Sequence, residues 1–172
     1  MATGFRQQPH QEPRPQVPQV DQNALKTGQA LTILLLVAAF ILNLPVIVAF
    51  VAVAQFTGAL RLPFAPFSLI YQYVVLPLGL VRRNPQPDHF EPHAFALLVG
   101  AAFNITGTVL ILLGAHIVGA QVFGWTLVGI VVVLANLNFW LNFCAGCWMY
   151  YQFNLLGIPG FTQSRIPRGP LR

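Results

Sequence analysis

The chain has 172 residues, of which 56% are hydrophobic and only 8% charged, with a formal net charge of +5 and a mean hydropathy of +0.66. Soluble domains carry roughly 25% charged residues, so this composition excludes an ordinary water-soluble globule and points to one domain with a lipid-facing surface. The basic excess does not indicate nucleic acid, because no basic stripe is interleaved with stacking aromatics; anionic lipid headgroups are the better match.

Residues 1–22 carry Pro9, Pro13, Pro15 and Pro18 among many glutamines and read as a disordered cytoplasmic arm. The acidic Glu12 and the lack of a small-residue cleavage pattern argue against a signal peptide, so the first helix is expected to insert the chain. Asp21 or Asn23 then caps that helix. From Ala24 to Leu60 the chain is almost uninterruptedly apolar, too long for a single crossing of about 20 residues. Asn43-Leu44-Pro45 interrupts it, and proline both lacks an amide hydrogen and disfavours helical geometry before it. The pattern predicts two helices, 24–42 and 45–60, joined by a tight turn; the competing reading is one tilted, proline-kinked helix with an interfacial extension. Charge placement separates them. The hairpin puts the amino-terminal arm, the 61–92 connection and the carboxyl tail on one side with every Lys and Arg. The positive-inside tendency favours it and makes both termini cytoplasmic.

Residues 64–80 are apolar but proline-bounded and too short to span, which suits an interfacial or re-entrant helix. Arg82 to Asp88 forms a polar cytoplasmic loop. A third crossing is expected from His93 or Ala94 to Ala115, and a fourth from Gln121 to Phe143 or slightly beyond, with Trp125 and Trp140 as interface anchors. The predicted fold class is thus all-α, a polytopic transmembrane helix bundle of four spanning helices plus one interfacial helix. Residues 23–154 form a single membrane domain and 155–172 a basic polar tail. Gly100, Asn104 and Thr108 recur every four residues and share a face suited to close helix contact. On the last helix, Asn136, Trp140, Phe143 and Cys147 fall in one sector, with Asn138 and Asn142 nearly opposite. A substrate path is disfavoured because no Asp, Glu, Lys or Arg marks one inside the apolar segments.

The chemistry-bearing feature is Cys144-Ala145-Gly146-Cys147, which holds both cysteines of the chain. Residues three apart share a helix face, so the sulfurs can meet. Dithiol–disulfide exchange, sulfur relay, half of a metal site and plain packing all remain open. As the continuation of the fourth helix, the pair lies at a carboxyl end, where backbone carbonyls disfavour a thiolate. Gly146 softens that objection by breaking the helix and exposing Cys147. For metal, His89 and His93 would complete four zinc ligands on the same side, although Pro92 prevents a regular His-x-x-x-His face. His116 stands apart, with no acid or nucleophile near it in sequence. There is no phosphate loop, nucleophile elbow, metalloprotease His-Glu pair or haem motif, and no cofactor is expected.

Val20-Asp21-Gln22-Asn23, Gly28-Gln29-Ala30, Pro66-Phe67-Ser68, Pro77-Leu78-Gly79-Leu80, Glu91-Pro92-His93-Ala94-Phe95-Ala96 and, most specifically, Asn142-Phe143-Cys144-Ala145-Gly146-Cys147-Trp148-Met149-Tyr150 together resemble the bacterial integral membrane protein family catalogued as domain of unknown function 4395, over about residues 20–154. Ala94 departs from the basic or polar residue more usual after the histidine. The resemblance implies a compact, multi-helix protein of the cytoplasmic (inner) membrane without a transferable activity. Some members neighbour thiol-redox and sulfur-handling proteins. The expected function is a membrane dithiol component whose catalytic residues are Cys144 and Cys147, exchanging electrons with a thioredoxin-like or sulfur-transfer protein. Trp140 and Trp148 would shape an apolar surround. The alternatives are a non-enzymatic subunit of a larger membrane complex, with the lipid bilayer as its other contact, and, third, a transporter.

Overall fold

The computed structural model describes residues 19–158; the proline-rich arm up to residue 18 and the basic tail from residue 159 lie outside the described residues. Two three-residue strands, β1 (Gln19–Asp21) and β2 (Pro85–Pro87), frame six α-helices: α1 (Gln22–Leu42), α2 (Pro45–Ala59), α3 (Pro66–Ile70), α4 (Phe90–Leu113), α5 (Ala120–Leu141) and α6 (Ala145–Leu155). Three of them, α1, α4 and α5, are long and apolar enough to cross a membrane, and α2 is a shorter apolar helix. At 1.5 Å per residue, its 15 residues reach roughly 22 Å.

The first apolar stretch is a hairpin of two helices. Asn43 adopts a left-handed conformation (φ 51°) that ends α1, and its amide bonds back to Ala39 and Phe40. Pro45 then occupies the first turn of α2, where its missing donor costs nothing. α2 packs along α4, α4 along α5, and α5 against α1. At one end of the bundle, the α1–α2 turn meets the start of α5 through Gln121 Nε2 and Asn43 Oδ1 at 3.5 Å. At the other end lie β1, the 61–89 connection and α6.

That second end is stitched by backbone and side-chain hydrogen bonds. β1 pairs antiparallel with β2, Val20 opposite Gln86. Asp21 caps α1 at the Asn23 amide and also accepts from the Tyr71 hydroxyl at 2.8 Å and the Asn84 amide at 3.2 Å. Burial alone would raise the Asp21 carboxyl, but the bonds from Tyr71, Asn84, Asn23 and Ala24 outweigh it and hold the group below its usual value. Burial, then the bond to Asp21 and its charge, push the Tyr71 phenol up to about 12. The segment carrying Tyr71 is non-spanning, as its prolines predict: α3 passes into a π-helical turn, Tyr71–Val75.

The buried apolar core, Leu36, Ala39, Val48, Val51, Ile111, Val128 and Val131, occupies the half of the bundle nearest the two tight turns. There α4 and α5 come into backbone contact: a Cβ on Gly124 would lie 2.7 Å from the Gly107 carbonyl oxygen. Small residues in apolar helices permit such approach where hydrocarbon supplies no hydrophobic drive. Of the predicted Gly100, Asn104 and Thr108 face, Asn104 is fully buried and donates to Gln55 Oε1 of α2 at 2.9 Å. Gly100 lies against the same Gln55 side chain, and Thr108 bonds back to the Asn104 carbonyl. The bond pairs two amides where water cannot serve them, while Asn104 Oδ1 stays buried without a partner.

Candidate functional site

The expectation that Cys144 and Cys147 end the fourth helix is overturned. α5 stops at Leu141, and Asn142 takes a left-handed conformation (φ 52°). Cys144 then has extended geometry and is the N-cap of the separate helix α6. Its Sγ accepts from the Cys147 amide at 3.2 Å, and its carbonyl accepts from the Trp148 amide at 2.9 Å. The physical reason is twofold. A 22-residue α5 already matches the hydrocarbon thickness, and asparagine tolerates the left-handed turn that lets the chain restart. The electrostatic objection to a thiolate therefore reverses, because a helix amino end stabilises negative charge on a capping sulfur. The one-sector grouping of Cys147 with Asn136, Trp140 and Phe143 lapses with the helix that generated it.

Cys144 and Cys147 are joined as a disulfide, with Cα atoms 5.1 Å apart. Cys147 is buried, at 9% exposure, whereas Cys144 is half-buried. Behind Cys147 stands His93, its Nδ1 3.6 Å from Cys147 Sγ. His93 lies in the first turns of α4, and its Nε2 is 2.9 Å from Asp88 Oδ2. The same Asp88 oxygen accepts from Gln22 Nε2 at 3.3 Å, and Asp88 Oδ1 accepts from the His89 amide at 2.8 Å. With Nε2–H donating to Asp88, Nδ1 presents a lone pair to the sulfur.

Gly146 sets the distance between these parts. A Cβ there would fall 2.6 Å from Ala96 Cβ and 2.8 Å from Ala96 Cα, so only glycine lets α6 lie this close to α4. Phe95 of α4 packs against Tyr150 and Phe153 of α6, at centroid distances of 5.9 and 6.1 Å, and seats the helix. Burial, and secondarily the Glu91 charge, raise the Tyr150 phenol above its ordinary value.

The donor atoms of His93, Cys144 and Cys147 lie within 4.8 Å of one another. His89 does not join them: its Nδ1 turns to Glu91 at 3.8 Å. The four-ligand zinc arrangement, an alternative ranked below redox chemistry in the sequence, is therefore not assembled. The joined sulfurs also offer no thiolate. Trp140 and Trp148 are 73% and 55% exposed. The partner that sequence reasoning missed is Asp88, together with the pairing of His93 to Cys147; the signal lay in Asp88 preceding His93 at a helix start.

Beside the disulfide, a cavity of about 710 Å³ runs between α1, α2, α4 and α5, with Cys144, Gly146 and Met149 at one side. Comparison with curated proteins and with solved structures gave no match. Residues 20–154 match the family described as "Domain of unknown function (DUF4395)", which takes in β2, five of the helices entire and all but one residue each of β1 and α6, and the chain belongs to that family.

Proposed function

We propose that the protein is a membrane thiol–disulfide exchange component that works through Cys144 and Cys147. The observation that carries this reading is the disulfide on the first turn of α6, backed by the Asp88–His93 pair against Cys147. A dithiol partner's thiol gives its proton to His93 Nδ1 and attacks the more accessible Cys144 Sγ as the thiolate, and Cys147 leaves beside His93, which passes that proton to it. The partner's second thiol then attacks the mixed disulfide and releases Cys144 at the α6 amino end, where it takes up the proton of that second thiol. The partner ends as a disulfide, and two electrons and two protons reside on the Cys144–Cys147 dithiol. A thioredoxin-like protein is the partner class this chemistry suits, and Cys144 and Cys147 are the proposed catalytic residues.

The reading places the site on the cytoplasmic face of the inner membrane. Lys26, Arg61, Arg82 and Arg83, every Lys and Arg among the described residues, belong to the same bundle end as the cysteines, which supports that orientation.

The test is an alkylation shift in native membranes across a dithiol potential series. A reversible two-electron transition is expected, lost in both Cys144→Ser and Cys147→Ser. Cys147→Ser should also accumulate mixed disulfides of Cys144 with the oxidised partner, because Cys147 is the sulfur that would release that partner. Thiols reduced at every potential, with membrane assembly intact after double substitution, would instead favour the non-enzymatic subunit of a larger membrane complex.

A further inference from the structure

We propose that the cavity beside Cys144 binds the headgroup of a lipid-soluble isoprenoid quinone, which takes the two electrons collected by Cys144 and Cys147. The inference rests on the exchange function above and names the acceptor that function requires. A dithiol formed at a membrane surface turns over only if something reoxidises it. Within a helix bundle surrounded by lipid, a quinone is the two-electron, two-proton acceptor that reaches the site through the bilayer.

Size and lining fit that occupant. About 710 Å³ lies within the roughly 300–1,000 Å³ of small-molecule sites. Ala54, Gly58, Ala96 and Ala135 keep the walls low and apolar, as a flat ring needs. Gln29, Thr32 and Gln55 supply polar groups on α1 and α2. The Gln29 Oε1 atom is buried and has no hydrogen-bond partner, a costly condition for an amide in an apolar interior. A carboxamide suits a quinone in both states: its N–H donates to the carbonyl of the oxidised ring, and its oxygen accepts from the hydroxyl of the reduced one. A lipid acyl chain would fill the same volume and leave Gln29 unsatisfied.

The step balances without further reagents. The dithiol loses two S–H protons and two electrons, the Sγ–Sγ bond forms, and both quinone carbonyl oxygens become hydroxyls. His93, next to Cys147 Sγ at 3.6 Å, accepts the buried thiol's proton on its way to the ring.

The experiment uses the full chain, reduced and freed of reductant, in lipid nanodiscs. Decylubiquinone is added under argon, and quinol is followed by absorbance and the cysteines by alkylation. One quinol per disulfide re-formed is expected. Gln29→Leu should slow the quinone reaction about three- to tenfold, the scale of one lost hydrogen bond. Ala135→Leu, which thickens the cavity wall, should slow it about tenfold or more through misplacement of the ring. Diamide, a water-soluble thiol oxidant, gives the reference rate for each variant, and thermal unfolding verifies its fold. Disulfide formation by diamide but not by decylubiquinone in the wild-type protein would overturn the quinone site and leave exchange standing. Quinone rates unchanged in both folded variants would overturn it equally. A protein whose cysteines neither oxidise with diamide nor titrate in membranes would remove the exchange function itself.

Discussion

The two halves of the bundle are built from the same residue types and serve opposite ends. Toward the 43–45 and 114–119 turns, Leu36, Val48, Val51, Ile111 and Val128 close into a core, and glycine brings backbones into contact at Gly107 and Gly124. Toward β1, the glycines of α1 and α2 leave space instead: a Cβ on Gly58 or Gly28 would have its nearest neighbour at 3.8 or 4.0 Å, and the tightest approach at that end is Gly146 of α6 against Ala96. All the acidic residues among the described residues, Asp21, Asp88 and Glu91, stand at that second end with the four cations and both cysteines, while the turn end has His116. Glycine is therefore no single signal in a membrane helix. It marks tight packing where a large neighbour presses in and room where none does.

The sharpest way to break this division is to remove chemistry from the open end alone. His93→Ala should slow reduction of the disulfide by a soluble dithiol by about 10²-fold, the low end of general acid–base effects, with the thermal midpoint shifted far less. Stopped-flow exchange beside a melting curve checks it; equal exchange rates would reduce His93 to packing. Next comes the closed half. Gly124→Ala drives a methyl into the Gly107 carbonyl and into Ile111, each at 2.7 Å or thereabouts, and should destabilise the bundle by about 1–3 kcal/mol as overpacking does. Detergent unfolding would register it, whereas the exchange rate of the folded fraction should hold.

Much of this architecture was legible in the chain. The Asn43-Leu44-Pro45 turn, the non-spanning 64–80 segment and the long α4 and α5 follow from length, proline chemistry and hydropathy, and the observed α1, α2, α4 and α5 lie within a few residues of those limits. The break at Asn142 was not, because apolar character continues through Phe143 and hides a left-handed residue. That one residue decided the electrostatics of the site. Its polarity reversed from a carboxyl-end to an amino-end setting, and Cys144 became a cap. The Asp88–His93–Cys147 arrangement was equally hidden, since it joins two segments far apart in sequence through the Gly146–Ala96 approach. Periodicity within one helix carries no information about which neighbour a loop brings across.

A smaller effect should separate the polar frame from the sulfur chemistry. Asp21→Asn keeps one capping oxygen for Asn23 and Asn84 but removes the charge and the second acceptor that holds Tyr71, and should cost about 0.5–1.5 kcal/mol, the scale of one hydrogen bond. The pH dependence has a definite sign. Because the folded Asp21 carboxyl lies below its value of 3.8, its contribution is present above that value and is lost as pH falls through the folded one. The Tyr71 phenol, raised to about 12 from 10.0, contributes below pH 10.0 and loses that contribution as pH climbs toward its folded value. Melting curves from acid to alkaline pH should therefore show both limbs in the wild-type protein and lose the Asp21 limb in Asp21→Asn. An unchanged acid limb would overturn the assignment to Asp21.

The smallest predicted effect carries the comparison furthest. Gly58→Ala is the same substitution as Gly124→Ala, on a helix of the same bundle, with the opposite expected sign. The added methyl meets Leu97 Cδ1 at an ordinary 3.8 Å, and alanine exceeds glycine in helix propensity by about 0.8–1.0 kcal/mol in a helix interior. At Gly58, one residue from the end of α2, a gain of a few tenths of a kcal/mol is expected. Paired thermal unfolding of the two variants reads the sign directly. Destabilisation at Gly58 would mean that the open half is as closely packed as the other, and the space beside Cys144 would lose its claim to hold a ligand.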